Sequence, residues 1–264
     1  MGLELVIAGV LVGILVGATG MGAGSLMAPL LITVFNVPAL SVVGTDLLYS
    51  GASKAVGAWR HRTLDTVNTQ LAWWMASGSV PASLVGIGVL HRLAASEGSR
   101  IQSDVKYGIG IALMAVAAAV GVRTFVTIRG LWDARSLPAD SELTRRHRLI
   151  AVTIGVVFGF IFGLTSVGAG AFFGMALILL FPLSARRVVG TDLYHGALVT
   201  IPAAIASYFL LPHLELLNVA YLMLGSTPGI LIGSQIAAAL PERALRGSLA
   251  TVLAVSALKT LGAF

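Results

Sequence analysis

Apolar residues run in long stretches along the chain, and short polar segments separate these stretches. A helix needs about 20 mostly apolar residues to cross a hydrocarbon core of about 30 Å. By this criterion the chain holds four elements, then a polar segment, then four more. They cover residues 3–35, 38–59, 68–90 and 105–128, and then 149–181, 188–211, 218–240 and 245–263. The pattern predicts an all-α polytopic membrane protein.

The first element of each half is too long for a single crossing. A continuous helix of about 33 residues would extend about 50 Å, at about 1.5 Å per residue. Glycine-rich segments interrupt both elements, at residues 20–24 and 166–170. The fragments on either side of each break are too short to span comfortably. We therefore predict that each half opens with a Gly-broken, re-entrant-like helix, which turns back near the membrane centre.

The two sets of elements are copies of one another. The run Val43-Gly44-Thr45-Asp46-Leu47 recurs 146 positions later as residues 189–193. The same offset relates two glycine ladders, one at Gly9, Gly13 and Gly17 and the other at Gly155, Gly159 and Gly163. The sequence thus predicts an internal duplication. Residues 1–128 form the first transmembrane repeat, 129–148 a cytoplasmic linker and 149–264 the second transmembrane repeat.

Composition and charge distribution agree with a membrane protein. Hydrophobic residues make up 57% of the chain and charged residues 11%, whereas soluble domains carry about 25% charged residues. There are no cysteines, which excludes disulfides and thiolate chemistry. The net charge of +6 does not indicate nucleic-acid binding, because the basic residues sit in short segments between apolar spans and read as topology signals.

The positions of the basic residues favour one topology. If each first element turns back, each half crosses the membrane an odd number of times, and the two halves are inverted. Most Lys and Arg residues that border the spans then lie on the linker side, which the positive-inside rule assigns to the cytoplasm, with both termini outside. They are Arg60, Arg62, the linker arginines, Arg186, Arg187, Arg243 and Arg246. Inverted repeats with broken helices are typical of secondary transporters.

The two breaks are the predicted anion site. A helix that starts inside the membrane presents free N–H groups and the positive end of its dipole, and facing breaks would form one site at the membrane centre. The candidate substrate-binding residues are Thr19, Gly20, Gly22, Gly24, Ser25, Thr45, Thr165, Ser166, Gly168, Gly170 and Thr191. The alternative is that the glycines only allow close helix packing. We prefer that alternative for the glycine ladders, whose small-xxx-small spacing is typical of packing.

Ionisable residues inside the spans are candidates for coupling or gating. Asp46, Ser50 and Lys54 share one helix face, and a charge within a span is costly. Asp192 is the counterpart of Asp46, and His195 occupies the position that Tyr49 has in the first half. The carboxylates are alternatively helix caps, the lysine part of a structural ion pair, and the histidine a hydrogen-bonded packing residue.

These residues together resemble the TauE/SafE (sulfite exporter) family. The resemblance rests on residues 17–25, GATGMGAGS, on Val43-Gly44-Thr45-Asp46, and on the same pair of motifs in the second half. It covers residues 5–262 and implies an inner-membrane permease for sulfite, sulfoacetate or related sulfur-containing or organic anions. The chain departs from the family in its second break, Ser166-Val167-Gly168, and in Asp46 and Asp192, where the family often has Asn or Ser.

The leading hypothesis is a secondary transporter that moves a small anion by alternating access, through rocking of two inverted halves and with a proton as a candidate coupling ion. The predicted partners are the anion and the lipid bilayer, with no nucleic acid. A passive anion channel is the alternative. A membrane-embedded enzyme or assembly factor is disfavoured, because no nucleotide motif, nucleophile–base pair or metal-ligand cluster stands out. We accordingly expect no enzymatic activity, no cofactor and no metal.

Overall fold

The computed structural model describes residues 2–19, 24–97, 100–128, 143–168, 170–181, 183–211, 216–239 and 242–262. Within them, only the backbone is described for residues 16–19, 24–26, 97, 123–128, 185–186, 234–239, 242–250 and 252. This part of the chain forms ten α-helices and no strand. In chain order they are α1 (Gly2–Thr19), α2 (Gly24–Thr33), α3 (Ala39–Thr63), α4 (Thr69–Glu97), α5 (Arg100–Ile128), α6 (Arg145–Thr165), α7 (Ala171–Leu180), α8 (Ala185–Leu210), α9 (Leu216–Ala239) and α10 (Glu242–Leu261).

The long first element of the second half is broken where the glycines predict. In the first half, α1 ends at Thr19 and α2 begins at Gly24; residues 20–23 lie outside the described part. In the second half, α6 ends with Ser166 in the left-handed conformation, at φ 58°, and Gly168 follows with φ 97°. The two positive φ angles turn the chain out of the helix, and a residue without Cβ adopts such an angle readily.

The broken element of the second half folds back on itself. The Phe158 ring of α6 stacks on the Phe172 ring of α7, with 5.1 Å between the centroids. Further from the break, His147 near the start of α6 meets Phe181 just beyond the end of α7, at 5.9 Å. Contacts that pair the start of one helix with the end of the other mean that α6 and α7 run antiparallel.

The helix α6 begins earlier than the sequence predicts, as do α5, α8, α9 and α10. Arg145 is the first residue of α6, so residues 145–148 are helical although they belong to the segment predicted as linker. The Thr144 hydroxyl accepts a hydrogen bond from the His147 amide at 3.3 Å and caps the helix. The polar first turn extends the apolar helix outward, with the Arg148 guanidinium 5.6 Å from the Trp74 ring centroid.

The closest helix packing joins the two halves. A Cβ added to Gly155 of α6 would meet the backbone of Met75, Gly78 and Ser79 in α4. Gly9 of α1 makes the equivalent contacts with Leu222, Gly225 and Ser226 of α9. Further along, Gly163 lies against Ser83 and Gly13 against Ser226 and Gly229, so each pair runs parallel. The expectation that the glycine ladders serve packing is therefore confirmed at these positions.

The helices α3 and α8, which are counterparts in the duplication, run antiparallel. A Cβ at Gly51 would lie 3.6 Å from the Thr200 side chain, one at Gly196 would lie 3.0 Å from that of Lys54, and one at Gly57 would lie 3.4 Å from that of Leu193. Ascending positions in α3 thus meet descending positions in α8. Another pair of counterparts, α5 and α10, also packs together.

The outer surface is apolar, as a bilayer requires. In α1 the exposed apolar side chains recur about one helical turn apart, at Leu3, Ile7, Leu11 and Leu15. Five described helices, α4, α5, α6, α8 and α9, are long and apolar enough to cross a membrane. The helix α3 has 25 residues, but polar side chains interrupt its apolar sequence. The prediction of an all-α, multi-pass membrane protein is confirmed.

Candidate functional site

The polar face of α3 is buried inside the bundle. Asp46, Ser50 and Lys54 are 0%, 1% and 4% exposed. They follow one another at intervals of four residues, which places them on one side of the helix. A charged side chain at the centre of a membrane helix costs about 2.5–3.5 kcal/mol on insertion scales. Two such charges on one face make this helix a candidate part of a functional site, and a structural ion pair is the alternative.

Asp46 lies close to the break of the opposite half. Its carboxyl group is near the Ser166 hydroxyl, at the end of α6. Among the described residues, neither oxygen of the Asp46 carboxylate has a hydrogen-bond partner, and the Ser166 hydroxyl has none either. Ser166 is nevertheless buried, with only 1% of its surface exposed. Buried polar groups are nearly always hydrogen-bonded. This unpaired cluster between α3 and the 166–170 break is the place where a polar ligand or water would find partners.

Lys54 extends from α3 toward α8. Its ammonium lies 3.5 Å from the Thr200 hydroxyl and 5.6 Å from the centroid of the Phe162 ring in α6. Asp192 and Asp46, in this order of strength, are the carboxylates whose charges act on it. Both carboxylates are among the candidate coupling or gating residues, and that role stays a prediction. Thr200 and Phe162 were missed, although Thr200 is the counterpart of Lys54 in the duplication.

The His195 side chain of α8 is packed against α4 and α7. Its Nε2 atom lies 2.8 Å from the Ser79 hydroxyl of α4, and its ring meets the Phe173 ring edge-on at 4.3 Å. Both contacts agree with the structural alternative, in which the histidine is a hydrogen-bonded packing residue. Asp192, one turn earlier on the same helix, is 8% exposed.

The counterpart contact in the first half is incomplete. Tyr49 occupies the position of His195. Ser226 corresponds to Ser79, with one residue more between the repeats here, because Ser226 meets Gly9 as Ser79 meets Gly155. The Tyr49 hydroxyl is buried near the Ser226 hydroxyl, yet it completes no hydrogen bond among the described residues. In agreement with this difference, α8 packs along much of α4, while α3 and α9 touch less extensively. The two copies of one interface thus differ within a single structure.

The segment between α3 and α4 closes onto the second copy of the repeated motif. The Asn68 amide donates a hydrogen bond to the Thr191 hydroxyl at 2.9 Å. A Cβ at Gly190 would lie 2.5 Å from the carbonyl oxygen of Thr66, so only glycine allows this approach. The Thr66 hydroxyl is 2.8 Å from Nδ1 of His61. We call residues 64–68 together with Gly190 and Thr191 the latch; it lies at the end of the bundle where α8 begins.

The residues of the second break are partly used by the local structure. The Thr165 hydroxyl donates to the Ile161 carbonyl at 2.8 Å and accepts from the Val167 amide at 3.3 Å. The space beside Gly168 is filled by the Phe172 ring. Gly170 precedes α7, which has no side-chain cap. The predicted role of these residues in binding an anion stays a prediction.

The first break is described less completely. Gly20 and Gly22 lie outside the described residues, and for Thr19, Gly24 and Ser25 only the helical backbone is described. Thr45 is 5% exposed and lies beside Asp46 in α3. Within the residues whose side chains are described, no group of three or more His, Asp or Glu side chains is arranged to hold a metal ion.

Comparisons with known proteins agree with this architecture. The family model for the sulfite exporter TauE/SafE matches residues 5–260. A Bacillus subtilis relative, the probable membrane transporter protein YjnA, is 37% identical over 99% of this chain and 100% of its own length. A second, YdhB, also a probable membrane transporter protein from Bacillus subtilis, is 22% identical over 95% and 96% of the two chains. No solved structure matches significantly. The chain is thus a multi-pass membrane protein that belongs to the TauE/SafE family of membrane transporters.

Proposed function

We propose that this protein is a secondary transporter, which moves a small anion across the membrane by alternating access through two inverted repeats. The observation that carries the proposal is the direction of α3 and α8. They are counterparts in the duplication and they pack antiparallel. Counterparts run in opposite directions only if the axis that relates the halves is perpendicular to the helices, which in a membrane protein is the arrangement of inverted repeats.

The fold-back of α6 and α7 supports the same arrangement. The contact between His147 and Phe181 returns the chain to the side from which α6 started. Each half then crosses the membrane three times after its broken element. We propose by analogy that α1 and α2 also form a re-entrant hairpin. The parallel packing of α1 with α9 and of α4 with α6 agrees with this. In inverted repeats α9 runs opposite to its counterpart α4, so α1 also runs opposite to α4. A hairpin of α1 and α2 gives these opposite directions, whereas a single continuous crossing would make α1 and α4 run the same way.

The proposed substrate site lies between α3, α8 and the two breaks. The unpaired Asp46 and Ser166 groups, together with the Lys54 ammonium, supply its polar contacts. Irregular backbone at membrane depth is tolerated where it lines a polar cavity. A small oxyanion would be held by Lys54 and by the helix ends at the breaks. Sulfite, sulfoacetate or a related anion is the proposed substrate, which is in keeping with the family description.

The difference between the two copies of one interface supports alternating access. On the linker side, α4 and α8 are joined by the latch and by the hydrogen bond between Ser79 and His195. The counterpart contact between Tyr49 and Ser226 is incomplete. In a transporter built from inverted repeats, exchange of these two arrangements would close one face and open the other. We propose that this conformation is closed toward the linker side.

The packing also suggests which parts move together. Backbone-to-backbone contacts join α1 to α9 and α6 to α4, so each pair contains one helix from either half. Relative motion of the two sequence halves as rigid bodies would break both sets of contacts. We propose instead that each pair moves as a unit, and that the moving interface is the one between α4 and α8 and its counterpart between α3 and α9.

Counterflow in proteoliposomes tests the proposed function. Vesicles with purified protein are loaded with unlabelled sulfite and diluted into a trace of radiolabelled sulfite, and the same is done with sulfoacetate. A carrier accumulates label transiently above equilibrium, because substrate leaving the vesicle drives substrate entry. A passive channel, the alternative function, only equilibrates the label. Absence of protein-dependent flux for every small sulfur or carboxylate anion tried would refute anion transport.

A further inference from the structure

Lys54 lies on the axis that relates the two halves. Its ammonium contacts the Thr200 hydroxyl at 3.5 Å, and Thr200 is the residue 146 positions later, which is its own counterpart. In a duplicated protein, two counterparts touch only where the symmetry axis passes between them. A site at the axis stays central whichever face of the transporter is open.

The surroundings of Lys54 leave hydrogen-bonding capacity unused. An ammonium has three donors. In the described part of the chain its polar contact is the Thr200 hydroxyl, at the long end of the hydrogen-bonding range, and its other contact is the face of Phe162. Gly196 provides the space, since a Cβ there would lie 3.0 Å from Cδ of Lys54. A buried ammonium with only one long hydrogen bond is costly, and a bound anion would supply further hydrogen-bond acceptors.

The charges around the ammonium limit what this partner is. Asp46 lies two helical turns before Lys54 on α3, and Asp192 lies one turn from Gly196 on α8. The negative charges of both carboxylates are felt by the Lys54 ammonium. His195 lies on the same helix as Asp192, next to Gly196. One negative group at Lys54 is attracted by it. A second negative group on the same small ligand would come toward one of the carboxylates and be repelled.

We propose that Lys54 binds the acid group of the transported anion and, with Asp46 and Asp192 on either side, makes the site selective for anions with a single negative charge. The proposal rests on the proposed transport function and adds the charge class of the substrate. Among the anions named there, it disfavours sulfoacetate, which carries two acid groups. It also explains why the two repeats differ at this position, with Lys54 in one and Thr200 in the other. A second lysine in place of Thr200 would put two ammonium groups in contact at the axis.

The test compares two sulfonates that differ by one acid group. Methanesulfonate carries one negative charge, and sulfoacetate carries an additional carboxylate. We expect wild-type protein in proteoliposomes to transport methanesulfonate with at least tenfold higher kcat/KM than sulfoacetate. Lys54→Met should lower methanesulfonate transport at least tenfold and raise its binding midpoint in thermal-shift titrations. Lys54→Arg should retain most of the methanesulfonate transport and binding. Lys259→Met, on the exposed face of α10, should match wild type in both.

Each outcome decides the proposal. Equal or better transport of sulfoacetate by wild-type protein overturns it without any variant, so a Lys54→Met protein that fails to fold does not rescue it. Folded Lys54→Met protein with wild-type methanesulfonate binding overturns it as well, and Lys54 is then a structural cation. If no anion of any charge is transported, the proposed function itself fails. If anions are transported without charge preference, only the role of Lys54 fails.

Discussion

At the scale of single residues, the spacing of polar side chains was informative about burial but not about partners. The interval of four between Asp46, Ser50 and Lys54 predicted a shared face, and all three are buried. The proximity of Asp46 to Ser166 was not predictable, because a duplication relates counterparts and not the residues that meet across its axis. Thr191 was predicted to bind substrate, whereas its hydroxyl accepts the Asn68 amide; a role in the anion path stays a prediction.

Asp46 is the residue whose titration we expect to couple transport to protons. Asp46→Asn keeps the shape and hydrogen-bonding capacity of the side chain but removes the exchangeable charge. Anion uptake driven by a pH gradient should fall at least tenfold, while substrate exchange without a gradient should persist. Both are measured in proteoliposomes.

The matched control for this substitution is Asp104→Asn, at an exposed position of α5, which should leave both rates unchanged. A joint loss of both activities and of protein yield in Asp46→Asn would contradict coupling and identify Asp46 as a structural residue.

At the scale of helices, the sequence predicted which glycines pack but not against which partner. Both ladders have the same small-xxx-small spacing, so each fits any other ladder equally well. The observed pairing joins α1 to α9 and α6 to α4, and only the three-dimensional arrangement could select it. The break of the second half was predictable, because clustered glycines interrupt a helix. The start of α6 at Arg145 was not predictable, since Thr144, which caps the helix, lies in a polar segment that resembles a linker.

Replacement of Gly13 should destabilise the protein through overpacking. In Gly13→Ala the new Cβ would lie 2.5 Å from the Ser226 carbonyl oxygen, and overpacking of this kind costs about 1–3 kcal/mol. The thermal unfolding temperature in detergent should therefore fall. Gly88→Ala is the control, because its Cβ meets nothing within 4 Å and alanine is the better helix former by up to about 1 kcal/mol. An equal or higher unfolding temperature for Gly13→Ala would contradict the packing described here.

The latch should open when Gly190 acquires a side chain. In Gly190→Ala the Cβ would push against the Thr66 carbonyl oxygen and displace residues 64–68 from Thr191. A cysteine at Thr66, which is 3% exposed, should then react faster with a membrane-impermeant maleimide applied from the linker side. Gly51→Ala, whose Cβ would make ordinary contacts at 3.6 Å or more, should leave the labelling rate of the same cysteine unchanged. Equal rates in the two backgrounds would show that Gly190 does not hold the latch closed.

At the scale of the whole molecule, the duplication and the basic residues predicted inverted halves. The antiparallel direction of α3 and α8 gives that prediction independent support. The pairing of helices across the halves was beyond the sequence, and it changes the proposed moving units from the two halves to two mixed helix pairs. The difference between the α4–α8 and α3–α9 interfaces was equally beyond it, since two similar repeat sequences do not show which copy packs more extensively.

The orientation in the membrane follows from the same account. We expect both termini outside and residues 129–148 in the cytoplasm. Single cysteines, placed in a chain that has none, should react with an impermeant maleimide in intact cells when introduced at the C-terminus. Cysteines in the linker should react only after the cells are opened. Labelling of the C-terminal cysteine only in opened cells would contradict the inverted arrangement.

The most direct test of the account joins the latch covalently. With cysteines at Asn68 and Thr191, whose amide and hydroxyl are 2.9 Å apart, a short bis-methanethiosulfonate bridges α4 to α8 and holds the linker side closed. Anion counterflow is measured before bridging, after bridging and after reduction, with each single-cysteine variant as control. Alternating access predicts that bridging abolishes counterflow, that reduction restores it, and that anion binding survives throughout. Undiminished anion flux with the bridge in place would contradict it.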